Sequence, residues 1–296
     1  MDDMGLMKQK SVIIRYALGI FLVLGIAVLI VSSLIQFEIR EVQRKELLKN
    51  EQNIIGAENT IISNKINRIS GDLLYVADCL RLNDDGTKDY EDVEKQWLAF
   101  SNRRMLYDQI RFIDMEGNEV IRINYDPDGS LLVDQADLQN KKDRYYFTDT
   151  MNLKKDQIYI SKLDLNVEND VIENPIKPMI RISMPYFDSK GEQKGMIILN
   201  YLASDLLNQM KKIATTSNGN PSLINADGYW IYDSENPENN WAFMYEDKMK
   251  ISFKNRYKAE WKEIHGKDSG QIINKNGVFI FSKSITSQTF KQDNTG

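Results

Sequence analysis

The sequence holds one cysteine, one histidine and six prolines in 296 residues. A single cysteine excludes an intramolecular disulfide, and with one histidine it leaves no Cys/His cluster of zinc spacing. Cys79 reads as a small apolar residue of a helix, and His265 sits in the surface-like stretch 262–266. Neither supplies a nucleophile with its base. A glycine-rich phosphate loop is also missing. Adjacent carboxylates such as Asp84-Asp85 and Glu91-Asp92 stand in solvated contexts that give no specific support to glycosidase chemistry. No basic block occurs and the net charge is −5, which argues against a nucleic-acid partner, since phosphate binding needs clustered positive charge. These absences point to a protein that is not an enzyme and carries no cofactor or metal.

Charge is missing from one stretch altogether. Tyr16 to Phe37 is a run of 22 residues without a charged side chain, and roughly 20 apolar residues cross a bilayer as a helix. A cleaved signal peptide would have a shorter apolar region, about 7–15 residues, and a small-residue cleavage site behind it. Here Ser32-Ser33 is followed by Leu34, Ile35 and Phe37, so an uncleaved membrane anchor is expected at 16–37 behind a tail at 1–15. Lys8, Lys10 and Arg15 before the run are matched by Arg40, Arg44, Lys45 and Lys49 after it, and the positive-inside rule does not choose a direction.

Proline is absent from residues 38–82, and apolar residues recur there at helical spacing. Leu48, Ile55, Ile62, Ile69 and Val76 repeat every seven, with Ile66, Leu73 and Leu80 four after the last three. Such a seam pairs helices, and Leu47, Ile54 and Ile61 widen it. We expect a stalk helix of about 67 Å that packs on its own domain and on a partner helix, giving a homodimer. A plain spacer is the competing reading, but a solvated spacer does not need an apolar stripe.

Beyond a loop expected at Asn83–Gly86 the periodicity changes. A helix over 90–104 precedes a hairpin of Gln109–Ile113 and Val120–Asn124 around Asp114-Met-Glu-Gly117. Further strands are read at Gln157–Ser161, Met179–Phe187 and Gly195–Tyr201, with a short helix from Asp143. Ile180, Ile182 and Met184 alternate with Arg181 and Ser183, the pattern of a strand with one covered face. After a joining helix at 204–216, Pro221–Tyr232 and the hairpin Ser269–Ile273 with Gly277–Phe281 repeat the layout. The fold class read from this order is α+β, with two related antiparallel-sheet modules in tandem. Trp230, Trp241 and Trp261 are read as core of the second module.

The run Asp143-Arg-Tyr-Tyr-Phe147, Ile158–Ser161, Asp164-Leu-Asn-Val-Glu168, Pro175–Arg181, Pro185 and Gly195–Tyr201 resembles the membrane-distal half of a double Cache sensor domain. Such domains occur in bacterial histidine kinases, diguanylate cyclases and chemoreceptors. The resemblance spans roughly 38–281, specific over 143–201 and loose afterwards. It implies two PAS-like sheets, a small-molecule pocket in a distal module at 83–205, a proximal module at 206–287, and a location of both modules outside the cytoplasm on the inner membrane, which makes the tail at 1–15 cytoplasmic. In that family a second span and an output domain follow. No apolar run follows Phe281 here, so residues 288–296 are expected to be a tail cut short of that span. The alternative is an anchored ligand-binding or scaffolding subunit. Amino-acid-binding members place an Arg and a Trp on the pocket helix and strand; this helix reads Arg144-Tyr-Tyr without Trp, so that specificity does not carry over.

Candidate ligand residues are Arg144, Tyr145 and Tyr146 on the short helix, Tyr159 and Ser161 on the next strand, Asp164 after it, Arg181, and Asp205. Guanidinium groups clamp a carboxylate or phosphate, and Asp205 is the expected partner of an ammonium. The stretch Asp164–Glu168 also offers oxygens to a divalent cation, but a turn that caps a strand and satisfies its own backbone is the favoured reading.

Overall fold

The computed structural model describes residues 3–82, 89–168, 171–284 and 290–291. The loop expected at Asn83–Gly86 and most of the tail expected from 288 lie outside the described residues. The chain divides into two compact units, Met1–Gln52 and Asn53–Gly296. The first is helical and forms the opening part of α1 (Asp3–Leu82). Every side chain from 16 to 37 is exposed, apolar on all sides, and the helix is long and apolar enough to cross a membrane.

In the second unit α1 meets a sheet. Ile62, Ile66, Ile69, Leu73, Val76 and Leu80 are buried, so from Ile62 onward the seam is covered by the chain's own sheet rather than left for a second helix. α2 (Glu91–Arg104) lies alongside, with Trp97 fully buried and its Nε1 donating to the Val76 carbonyl at 3.1 Å. Cys79 packs in the same core.

The sheet is antiparallel. Its strands are β1 (Tyr107–Asp114), β2 (Glu119–Asn124), β3 (Leu131–Leu132), β4 (Gln157–Ile160), β5 (Asp164–Leu165), β8 (Pro178–Phe187) and β9 (Gln193–Leu202). A small pair, β6 (Val167–Glu168) with β7 (Val171–Ile172), projects before β8. The spatial order is β4-β8-β9-β1-β2-β3, with β5 on β8 and β14 (Phe290–Lys291) on the outer side of β4. One face packs on α1 and α2 through Ile110, Phe112, Ile180, Ile182, Ile197 and Leu199. The other carries α3 (Tyr145–Met151), whose Tyr146 and Phe147 pack on Ile113, Met196 and Ile198. Arg181 and Ser183 are therefore buried, 4% and 0% exposed, where their alternation with isoleucines alone gave them a solvent face.

α4 (Ser204–Ala214) leads to a smaller module. It contains β10 (Ser222–Ile224) paired with β11 (Trp230–Asp233), and β12 (Ser269–Asn274) paired with β13 (Gly277–Ser282), as two separate two-stranded pieces. Trp230 and Trp241 are buried. Between these pieces α5 (Phe253–Arg256) sets Phe253 against Trp230, Tyr257, Trp261 and Phe279. His265, exposed at the end of α6 (Lys258–His265), lies against Trp261.

One turn recurs in both modules. Asp114, Asp188 and Asn225 each accept two backbone amides on Oδ1 and close a turn on Gly117, Gly191 and Gly228, whose φ values are +88°, +81° and +85°. Only glycine takes that conformation without strain, so the repeated layout rests on the same local chemistry.

Candidate functional site

Three strands carry the same triplet, an arginine between large apolar residues: Ile110-Arg111-Phe112, Ile121-Arg122-Ile123 and Ile180-Arg181-Ile182. Side chains alternate along a strand. Each apolar pair turns to the core beneath α1 and α2, and each guanidinium turns to the α3 face. The strand register aligns Arg122, Arg111, Ile198, Ser183 and Tyr159 in one row, and Asn124, Gln109, Asn200 and Arg181 in the next.

These rows form a buried polar cluster. Arg181 Nη1 donates to Asp164 Oδ1 at 2.7 Å and to the Tyr145 hydroxyl at 3.3 Å, while Nη2 donates to Asn166 Oδ1 at 3.1 Å. Arg111, 3% exposed, donates from Nη1 to Glu119 Oε1 at 3.2 Å and to the Tyr146 hydroxyl at 3.3 Å, and from Nη2 to Asn200 Oδ1 at 2.9 Å. Arg122 reaches the other Glu119 oxygen at 3.5 Å and Asn124 Oδ1 at 2.9 Å. The Tyr146 ring lies 5.5 Å from the Arg111 guanidinium carbon and 5.7 Å from that of Arg181, within the range of cation–π attraction. Burial pushes the Tyr146 hydroxyl up, but Arg111, Lys141 and Arg181 together hold it below the ordinary tyrosine range. Burial and a hydrogen bond to Asp149 raise Tyr159 instead. The α3 helix is tied to the sheet by a 2.6 Å hydrogen bond between the Thr150 and Ser183 hydroxyls.

Of the eight residues expected at the site, Tyr145, Tyr146, Tyr159, Ser161, Asp164 and Arg181 lie on or beside this face. Ser161 Oγ accepts from the Arg181 amide at 2.8 Å and donates to the Lys162 carbonyl at 2.7 Å, so it shapes the backbone. Arg144 caps the start of α3, half-buried, with no side-chain hydrogen bond among the described residues. Asp205 is not brought into the cluster. It opens α4 in an exposed pair with Lys65 of α1 at 3.2 Å and accepts from Gln209 at 2.7 Å. Asp164 is engaged by Arg181 and Tyr145, and Asn166 bridges Arg181 to Glu173 at 3.0 Å, so the side-chain oxygens of these two residues are occupied within the protein. Arg111, Glu119, Arg122 and Asn200 escaped the sequence reading. The thrice-repeated triplet was their signal. A separate solvent-open pocket, lined by Tyr75, Gln96, Ala99, Phe100, Arg103 and Arg104, lies on the helix-covered side.

A long apolar helix followed by antiparallel-sheet modules, one with a short helix over a buried polar face, defines a Cache-type sensor of the kind used by transmembrane signalling receptors. The family model of the bacterial histidine kinase sensor domain matches residues 71–292, and the chain belongs to that family. No curated protein matches the sequence. Among solved structures, a domain of a sensory box/GGDEF family protein from Vibrio parahaemolyticus is 22% identical, covering 76% of this chain and 88% of its own, with a TM-score of 0.56. The extracellular domain of the histidine kinase vpHK1S-Z8 is also 22% identical, covering 77% and 85%, with a TM-score of 0.53. The ligand-binding domain of the Campylobacter jejuni chemoreceptor Tlp3, solved with L-norvaline, is 11% identical over 79% and 84%, with a TM-score of 0.55. At these identities the likeness is one of fold.

Proposed function

We propose that this chain is the extracytoplasmic sensor region of a membrane-anchored signalling receptor, binding a small molecule on the α3 face of its first module. The buried polar cluster under α3 carries this reading: a fold of this size does not retain three buried guanidiniums for stability, since apolar packing serves as well or better. In the proposed arrangement residues 16–37 anchor the protein in the inner membrane and 38–82 form the stalk. Residues 83–205 are the membrane-distal module, 206–287 the proximal one. Binding biases two positions of the sheet against α1, and a homodimer of stalks passes the difference through the membrane helix. A ligand shifts such an equilibrium only by its differential affinity for the two states.

The test is thermal unfolding of the full chain in detergent against amino acids, carboxylates, polyamines, purines and sugars. A ligand at 100 times its dissociation constant adds about 2.7 kcal/mol. A dose-dependent rise in Tm that Arg181→Lys removes supports the sensor; no rise with any compound refutes it in favour of a contact or scaffolding role.

A further inference from the structure

The sensor reading leaves the ligand's chemistry open, and the inference here rests on that reading. Charge on the α3 face does not balance. Arg111 and Arg122 share the single carboxylate of Glu119, whose side chain is fully buried, and Arg181 is matched by Asp164. Among the described residues three guanidiniums thus meet two carboxylates. Two further acids, Asp108 and Glu173, are held by Lys177 at 3.2 and 2.6 Å, and Glu173 meets the cluster through Asn166. Asp149 is exposed and spends its hydrogen bond on Tyr159.

A second observation falls at the same place. Arg111 is 3% exposed and its buried Nε has no acceptor. A buried cation without a full complement of acceptors is costly, and of the three acceptors that its two Nη atoms do have, the Tyr146 hydroxyl is the most distant and, as a neutral phenol, a weak one. That phenol is surrounded by Arg111, Arg181 and Lys141, with no carboxylate among its contacts. An oxygen carrying real negative charge satisfies this position better than a phenol does.

We propose that the α3 face binds a small oxyanion of the carboxylate or phosphate class, without an ammonium group, seated between Arg111 and Arg181 where the Tyr146 hydroxyl now lies. Among the described residues the two acids paired with these guanidiniums are already engaged by further donors: Glu119 also accepts the Gln139 amide at 3.1 Å and Asp164 accepts Tyr145 at 3.1 Å, while Asp205 stands elsewhere. Anion and phenol exclude each other from the seat. Binding therefore displaces Tyr146 and with it α3, which gives the receptor its two states.

The experiment is calorimetric titration of the full chain in detergent with matched probes: succinate against aspartate, propionate against alanine, and inorganic phosphate. The amine-free member of a pair is expected to bind at least about tenfold more tightly than its amine-bearing counterpart, or phosphate at least about tenfold more tightly than aspartate and alanine. Arg111→Lys keeps the charge but loses the fork, and is expected to weaken binding about tenfold or more. Tyr146→Phe keeps the ring, removes the competing hydroxyl, and is expected to tighten binding about threefold. Arg181→Lys replaces Arg111→Lys if that variant fails to fold by circular dichroism. Equal or tighter binding of the amine-bearing members, or affinity indifferent to both lysine variants, overturns the inference and leaves the sensor reading standing. So does weaker binding to Tyr146→Phe. Silence towards these probes with a response to sugars, purines or polyamines does the same, whereas silence towards every compound overturns both.

Discussion

The α1 helix is fastened to the sheet by one buried carboxylate, and its removal should be felt in a particular pattern. Asp72, 4% exposed, accepts from the Tyr107 hydroxyl at 2.6 Å and from Arg104 Nη2 at 2.5 Å. Tyr107 is 1% exposed, and burial followed by the Asp72 bond pushes its hydroxyl well above the ordinary range. Tyr107→Phe removes a hydrogen bond to a charged acceptor but leaves Arg104, so it should cost about 1.5–3 kcal/mol. Asp72→Ala strips the acceptor from a buried hydroxyl and from a guanidinium that is itself 36% exposed; we expect about 3 kcal/mol, the lower end for a broken buried pair because solvent partly satisfies Arg104. In the Asp72→Ala background the Tyr107 hydroxyl is an orphan, so adding Tyr107→Phe should recover about 1 kcal/mol. The same substitution thus destabilises one background and stabilises the other. Unfolding of the full chain in one detergent, followed by tryptophan fluorescence with fully buried Trp97 in the adjoining core, measures the cycle. Each kcal/mol moves Tm by about 2–4 °C at this size. If Tyr107→Phe lies within about 0.5 kcal/mol of wild type, or destabilises both backgrounds alike, the carboxylate is not the fastening.

Two further outcomes follow from local geometry. Gly195 has φ +147°, and a Cβ there would stand 2.0 Å from the Ile113 carbonyl oxygen, so Gly195→Ala must part β1 from β9 and should cost at least about 2 kcal/mol; an unchanged unfolding midpoint contradicts the pairing. Glu58 of α1 is half-buried, and burial lifts its carboxyl from 4.5 to about 7. Between those values the unfolded chain has released the proton and the folded chain still holds it, so stability is full below pH 4.5 and falls as pH rises towards 7. Glu58→Gln should match wild type at pH 4.5 and exceed its Tm at pH 8; equal Tm values at pH 8 would refute the shift.

Most elements were legible because they rest on local signals. The hairpin read at Gln109–Ile113 and Val120–Asn124 is β1 and β2 extended by one or two residues, since alternation and an Asp-x-x-Gly turn specify a hairpin without tertiary help. What covers each face was not legible. Alternation in Ile180-Arg181-Ile182 reports that one face is polar, and the simplest polar face is wet; here α3 lies over it, and that cover comes from residues 30 or more positions away in sequence. The same limit applies to α1, whose seven-residue seam announces a partner without saying whether the partner is a helix or the chain's own sheet. Asp205 was misplaced because it follows β9 closely, yet the turn into α4 carries it to the side where Lys65 stands.

The two faces of the sheet are joined by an irregularity near the start of β1. Tyr107 and Arg111 lie four apart on β1 and in a regular strand would share a face. The register with β9 shifts between Tyr107 and Gln109, and such a bulge re-aims the side chains on one side of it. Tyr107 accordingly reaches Asp72 on α1, while Gln109 and Arg111 reach Asn200 and Tyr146 on the α3 face. One strand therefore touches the proposed anion seat and the stalk at once. Under the proposed function a displacement at Arg111 reaches α1 through Tyr107 without any long chain of intermediaries. Hydrogen exchange of α1 amides around Asp72 tests this: a bound anion should alter their exchange in wild type, whereas Tyr107→Phe should bind with affinity within about twofold of wild type yet show no such change. An unaltered response in Tyr107→Phe would mean that the stalk is informed by another route.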